Sequence, residues 1–97
     1  MLSKFQQYLI SKNFKEFSAN GSPSTVIDYA WRINKICECE GITIEQLSSN
    51  INKYLELYGR LGEKWSTGRR SHVSYWNALK HFRKFTLVQR FEGANNA

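Results

Sequence analysis

From Leu2 to Phe85 the apolar residues of this chain recur at steps of three and four, and nowhere do they alternate with polar residues as one face of a strand requires. The two-residue turn signals that close hairpins are missing as well. That period predicts helices throughout. Residues 2–13, extending at most to Phe17, form the first, with Phe5, Tyr8 and Leu9 turned to the core. The stretch "SANGSPS" then interrupts the pattern. Ser22 is read as an N-cap and Pro23 as the first helical residue, where a missing N–H costs nothing. A second helix over 23–40 buries Val26, Tyr29, Ala30, Ile33, Ile36 and Cys37 and stops at Gly41, which can take the left-handed conformation of a helix end. "TIEQ" has the capping-box pattern and starts a short turn carrying Ile44 and Leu47. A third helix follows over 50–60, with Ile51, Tyr54, Leu55 and Tyr58 inward. After the glycine-bearing loop 59–68, a fourth helix over 71–88 buries Tyr75, Ala78, Leu79, Phe82 and Phe85. The fold class expected is all-α, a small four-helix bundle in one domain over 1–90, with 91–97 a frayed tail.

The charge is unevenly distributed. Residues 1–59 carry six bases and six acids, whereas residues 60–90 carry eight bases against one acid, Glu63. Glu92 brings the whole chain to a net charge of +6. Cations gathered in one third of a domain are the electrostatic footprint of a nucleic-acid binder, although a basic face can also serve solubility. Within that third, Arg69 and Arg70 precede the fourth helix, at the positive end of its own dipole. An isolated helix gains nothing from bases there. A phosphate docking on the helix start would give them a purpose. On a helical wheel Arg70, Val73, Asn77, Lys80 and Lys84 lie opposite the core stripe, flanked by His81 and Arg83, so the polar face holds bases and an amide and no acid. The stretch "GSPST" offers a second anion site at the start of the second helix, with the Ser24 and Thr25 hydroxyls beside unpaired N–H groups.

Catalytic chemistry finds no constellation. His72 and His81 are nine residues apart on one helix, about 180° around it, and do not converge. Cys37 and Cys39 point about 200° apart on theirs, which suits neither a shared metal nor a disulfide and implies reduced thiols. A glycine-rich phosphate cradle, a metal-ligand set and a nucleophile motif are all missing from the sequence. No enzyme activity, cofactor or metal is therefore expected. No apolar run reaches the ~20 residues of a membrane span. The N-terminus is too polar for a signal-peptide core, which makes the expected location cytoplasmic and the expected partners non-membrane. Binding remains. Lys and Arg neutralise phosphates, and Asn and Arg reach base edges in a major groove. Of the tryptophans, Trp31 is read as a lid over the first helix or a loop, and Trp65 and Trp76 as packing residues.

Three blocks then carry a likeness. They are "FQQYLISKN", the segment "GSPSTVIDYAWRINKICECEGITIEQLSSNINKYL" with Ser22, Thr25 and Tyr29 in a Ser-x-x-Thr-x-x-x-Tyr pattern, and "RRSHVSYWNALKHFRKF" with Ala78, Leu79, Phe82 and Phe85. In order and spacing they resemble the N-terminal core-binding domain of tyrosine recombinases, the SAM-like module of the phage-integrase family. The likeness covers nearly the whole chain. Each motif is degenerate, and the order carries the weight. The resemblance implies an orthogonal SAM-like bundle whose second and last helices face the major groove of the recombination-site duplex during DNA integration. It implies DNA-binding contacts by Ser22, Ser24, Thr25, Arg32 and Lys35 on the second helix and by Arg69, Arg70, Ser71, Ser74, Asn77, Lys80 and Lys84 on the last. Ser22 and Thr25 match the motif itself, and the others share the helix face. The implied partners are double-stranded DNA, a C-terminal catalytic domain of the same parent chain and other integrase protomers on the DNA. The family's catalytic arginines, histidines, lysine and tyrosine nucleophile belong to that separate domain, and nothing after Phe85 supplies them. The expectation is thus a non-catalytic part of an integrase, or a stand-alone relative, that does not cleave DNA. Two other readings come from the charge and the helices. A helical protein-interaction module could dock an acidic partner, although no large exposed apolar stripe is evident in the sequence. A dimeric helix-turn-helix regulator would need a tighter turn than the loop 59–68.

Overall fold

Five helices follow one another in the order α1 (Leu2–Ser11), α2 (Thr25–Glu40), α3 (Ile44–Ser49), α4 (Ile51–Tyr58) and α5 (His72–Asn96). The structure, a computed structural model, describes residues 1–22, 24–59, 62 and 72–96, with the side chains of α5 described over 75–91. No strand occurs among the described residues. The expected all-α class holds at this level, with five helices in place of four. The extra one is α3, which the sequence marks only as a turn. Thr43 Oγ1 accepts from the Gln46 N–H at 3.1 Å, and Gln46 Oε1 accepts from the Thr43 N–H at 2.8 Å, which completes the capping box. Asn50 then ends α3 and begins α4 at once, its backbone bent out of helix at φ −119°, ψ 30°.

Helix ends follow the backbone more closely than the apolar period. Expected to reach Asn13 or beyond, α1 stops at Ser11. Asn13 turns left-handed at φ 71°, its N–H donates to the Ile10 carbonyl at 2.9 Å, and the Phe14 N–H donates to the Leu9 carbonyl at 3.1 Å. This is a Schellman closure in which asparagine takes the place of glycine. Gly41 closes α2 in the same way, as expected, at φ 65° with the Ile42 N–H on the Cys37 carbonyl at 3.0 Å. The N-cap of α2 is Ser24, where Ser22 was expected. Two long-range bonds set that start. The Ser24 N–H donates to the Glu16 carbonyl at 2.8 Å, and the Val26 N–H donates to the Lys15 carbonyl at 3.1 Å. Ser22 belongs instead to a turn organised by Asn20, whose Oδ1 accepts from the Ser22 N–H at 3.1 Å and from the Ser18 hydroxyl. At the other end of the chain α5 runs on past Val88 to Asn96. The frayed tail expected over 91–97 is helical as far as Asn96, and Gly93 falls inside that run, where one glycine costs only about 1 kcal/mol.

The core lies where α5 meets everything else. Among the helices α5 packs against each of the other four, most heavily α2 and α4. It contributes Ala78, Leu79, Phe82 and Phe85, all buried. Against them come Phe5 and Leu9 of α1, Val26, Ala30, Ile33, Ile36 and Cys37 of α2, Leu47 of α3, and Ile51, Tyr54 and Tyr58 of α4. The Phe5 and Phe82 rings meet edge to face at 5.2 Å, a geometry worth about 0.5–1.5 kcal/mol beyond the burial of the rings themselves. Tyr8, Tyr29, Leu55 and Tyr75, expected inside, are half-buried around this cluster. Their bulk fits at its rim, where the hydroxyls of the tyrosines can reach solvent. The body measures 42 × 36 × 21 Å. A helix of 25 residues is about 37 Å long, comparable with the two longer dimensions of the body. Among the described residues no helix is long and apolar enough to cross a membrane.

Candidate nucleic-acid interface

The seam between α2 and α5 is built from rings and cations. Arg32 of α2 lays its guanidinium over Tyr75 of α5, 5.2 Å from the ring centroid, and also lies 5.9 Å from the ring of Trp31. Farther along, Tyr29 stacks on His81 at 5.3 Å, and Phe14 meets the imidazole edge-on at 5.1 Å. These contacts fix the seam and leave the outer side of α5 to solvent. Lys80 and Lys84 are exposed there, Asn77 is half-buried, and Arg90 is exposed farther along the helix. Lys80 Nζ sits 4.2 Å from the Trp76 ring centroid. Arg83 turns to the opposite flank, where its Nε donates to Asn52 Oδ1 of α4 at 2.9 Å. Over 75–91 the helix carries four bases and no carboxylate. That field is felt locally. The His81 imidazole is held below its ordinary pKa by burial first, and then by the neighbouring Lys84 and Lys80 ammonium groups.

The α2 side is less cationic than expected. Lys35 lies 3.8 Å from Glu38, and Asn34 donates to the same carboxylate at 3.3 Å. Asp28 stands exposed in the first turn. Of the two α2 bases expected to meet DNA, Arg32 is braced toward α5 and Lys35 is partly neutralised. At the start of α2 part of the expected anion site is already occupied by the chain itself. The Val26 N–H, in the first turn, is already engaged by Lys15, and the Ser24 N–H by Glu16. Ser24 makes no side-chain cap bond, Ser24 and Thr25 are half-buried, and Ser22 is exposed in the preceding turn. Arg69, Arg70 and Ser71 lie outside the described residues, as do Trp65 and most of the loop 59–68, and Ser74 lies in α5 with its side chain outside the description. The structure thus brings Arg32, Asn77, Lys80 and Lys84 to the α5 face and its α2 edge, with Lys35 farther out.

Other features were not visible in the sequence. Trp31, read as a lid, is 55% exposed beside Arg32. Leu87, Val88 and Phe91 are exposed on the C-terminal half of α5, the last at 68%, so the apolar surface that seemed missing is present. The end of α5 passes beyond the core, which explains why apolar period and burial part company there. A second place is an open cleft of about 560 Å³ between α1, α2 and the start of α3, lined in part by Leu2, Cys37, Glu38 and Gln46. Both cysteines are free thiols, Cys37 buried and Cys39 exposed, and burial, with Glu45 second, pushes the Cys37 thiol pKa up, away from reactivity. Among the described residues no group of three or more His, Cys, Asp and Glu side chains could hold a metal ion. No family model matches the chain, and neither a curated protein nor a solved structure shows significant similarity to it.

Proposed function

We propose that this domain binds duplex DNA through the outer face of α5 and the adjoining edge of α2, in the manner of the SAM-like core-binding module of a tyrosine recombinase. The observation that carries the reading is the absence of any carboxylate from α5 over 75–91 while Lys80, Lys84 and Arg90 stand exposed on it. Cations spaced along a rigid helix neutralise phosphates, and Asn77 beside them offers both a donor and an acceptor to base edges. On this reading the parent protein supplies the catalytic domain and further protomers, and the domain itself grips without cutting. Exposed Leu87, Val88 and Phe91 favour protein contacts at the far end of the same helix, and they are the specific support for the alternative, docking of an acidic protein partner.

Binding of the duplex itself and the steepness of its salt slope separate the two. If about five phosphates are neutralised, log K for a duplex falls with log salt with a slope near −4 to −5. Lys80→Ala with Lys84→Ala flattens that slope by about 2, at ~0.9 per lost phosphate contact. Measured by fluorescence anisotropy on a labelled duplex, a flat response or no binding at low salt rejects the proposal.

A further inference from the structure

Along one flank of α5 the neighbouring surface passes from one helix to another. Tyr75 meets Arg32 of α2, and His81 meets Tyr29 of α2 and Phe14 of the α1–α2 connection. Phe85 meets Tyr8 of α1, with 5.7 Å between ring centroids. Val88 and Gln89 then share a cleft of about 540 Å³ with Lys4, Gln7, Tyr8, Ser11 and Lys12 of α1 and its end. No carboxylate lines that cleft, and α1 carries none anywhere in its length. Lys4 and Lys12 are exposed, and Lys12 Nζ stands 5.8 Å from the Tyr8 ring centroid.

We infer that Lys4 and Lys12 form a second phosphate-binding station, on α1, for the same nucleic-acid backbone that the α5 face engages. The inference rests on the DNA-binding reading and places two of its contacts on a helix outside the expected footprint. Its physical basis is continuity. The thirteen steps from Tyr75 to Val88 cover about 20 Å of helix. That length covers several consecutive phosphates of one strand, each of which advances only ~3.4 Å along the duplex axis while winding around it. A backbone laid along this flank runs from Arg32 past Lys84 to the α1 lysines. The α2 helix carries the exposed carboxylates of Asp28 and Glu38, whereas among the described residues the polar lining of the α1 cleft is two lysines, two amides and the hydroxyls of Tyr8 and Ser11. An acidic polypeptide could also pair with two lysines. The continuity of the cleft with the α5 face favours the polynucleotide.

The test uses the whole chain and a labelled duplex, with affinity measured between about 50 and 200 mM salt. Lys4→Ala with Lys12→Ala is expected to flatten the salt slope by about 1.8, at ~0.9 per phosphate. Lys4→Arg with Lys12→Arg is expected to restore it, and Lys53→Ala, on α4, to leave it unchanged. Backbone amide shifts of the unaltered protein give a readout independent of any variant, and duplex is expected to move residues 4–12 as well as α5. An unchanged slope in the alanine pair, or still amides over 4–12, overturns this inference while leaving the α5 interface standing. No duplex binding by the unaltered chain overturns both. Equal affinity for polyglutamate and duplex overturns the inference in favour of an acidic polypeptide.

Discussion

The imidazole of His81 is held between the rings of Tyr29 and Phe14, with the Lys80 and Lys84 ammonium groups close by on the same helix. Each of these neighbours disfavours its protonation, the rings by removing water and the lysines by repulsion. Its folded pKa therefore lies below the ordinary value of 6.5. The sign of the consequence follows from proton binding. Above the unfolded pKa both states are neutral, and the histidine has no effect on stability. As pH falls through about 6.5 the unfolded chain takes up the proton first, so stability drops until the folded pKa is passed. The urea midpoint is expected to decline between about pH 7 and pH 5. In His81→Gln, which keeps a neutral polar side chain, that part of the decline should vanish. Identical pH profiles for the two proteins would show that the imidazole is not enclosed as described. In the sequence this residue read only as a flank of the polar face, because nothing local shows that Phe14, sixty-seven positions earlier, closes over it.

At the scale of elements, local chemistry and tertiary contact divide the helix ends between them. Where an end is written in residue types, it was legible. Gly41 stops α2, and Thr43 with Gln46 starts α3. A helix of six residues cannot nucleate on propensity alone, so α3 depends on its cap and on Leu47 in the core. Thr43→Ala is expected to cost about 1 kcal/mol by the loss of the N–H acceptor, and Thr43→Ser to cost little. Equal melting temperatures for the alanine and serine proteins would remove the capping box from the account of α3. The start of α2 was misplaced by two residues for a different reason. Ser22 and Ser24 are equivalent as caps by type, and the choice falls to Ser24 because the Lys15 and Glu16 carbonyls dock beside the first turn. The end of α1 at Asn13 was missed because asparagine is a weaker signal for a left-handed residue than glycine. The far end of α5 was missed because its helical period outlasts its burial, leaving Leu87, Val88 and Phe91 exposed.

For the molecule as a whole, the question is whether its charges act together. The excess of bases after residue 60 was legible by counting, and so was the acid-free face of α5. Which other helix shares that face was not, because it depends on packing. The family resemblance pointed to α2, yet Glu38 lies 3.8 Å from Lys35 there, while α1, a helix without a carboxylate, borders the C-terminal half of α5. A polyanion lying along this flank would change the field at every cation it passes, and His81, next to Lys80 and Lys84, is the internal reporter of that change. Phosphates paired with those two lysines cancel the repulsion that depresses the imidazole, so the His81 pKa should rise when duplex is bound. Linkage then requires the converse, that duplex affinity strengthens as pH falls from about 7 toward 6, in addition to any general effect of net charge. The chain has two histidines, and His72 supplies an internal comparison for ring-proton shifts followed by NMR with and without saturating duplex. An upward displacement at His81 that disappears in the Lys80→Ala, Lys84→Ala protein would tie the bound phosphates to this helix face. A His81 titration unmoved by saturating duplex would mean that the phosphates lie elsewhere, and the α5 face would lose its claim to be the interface.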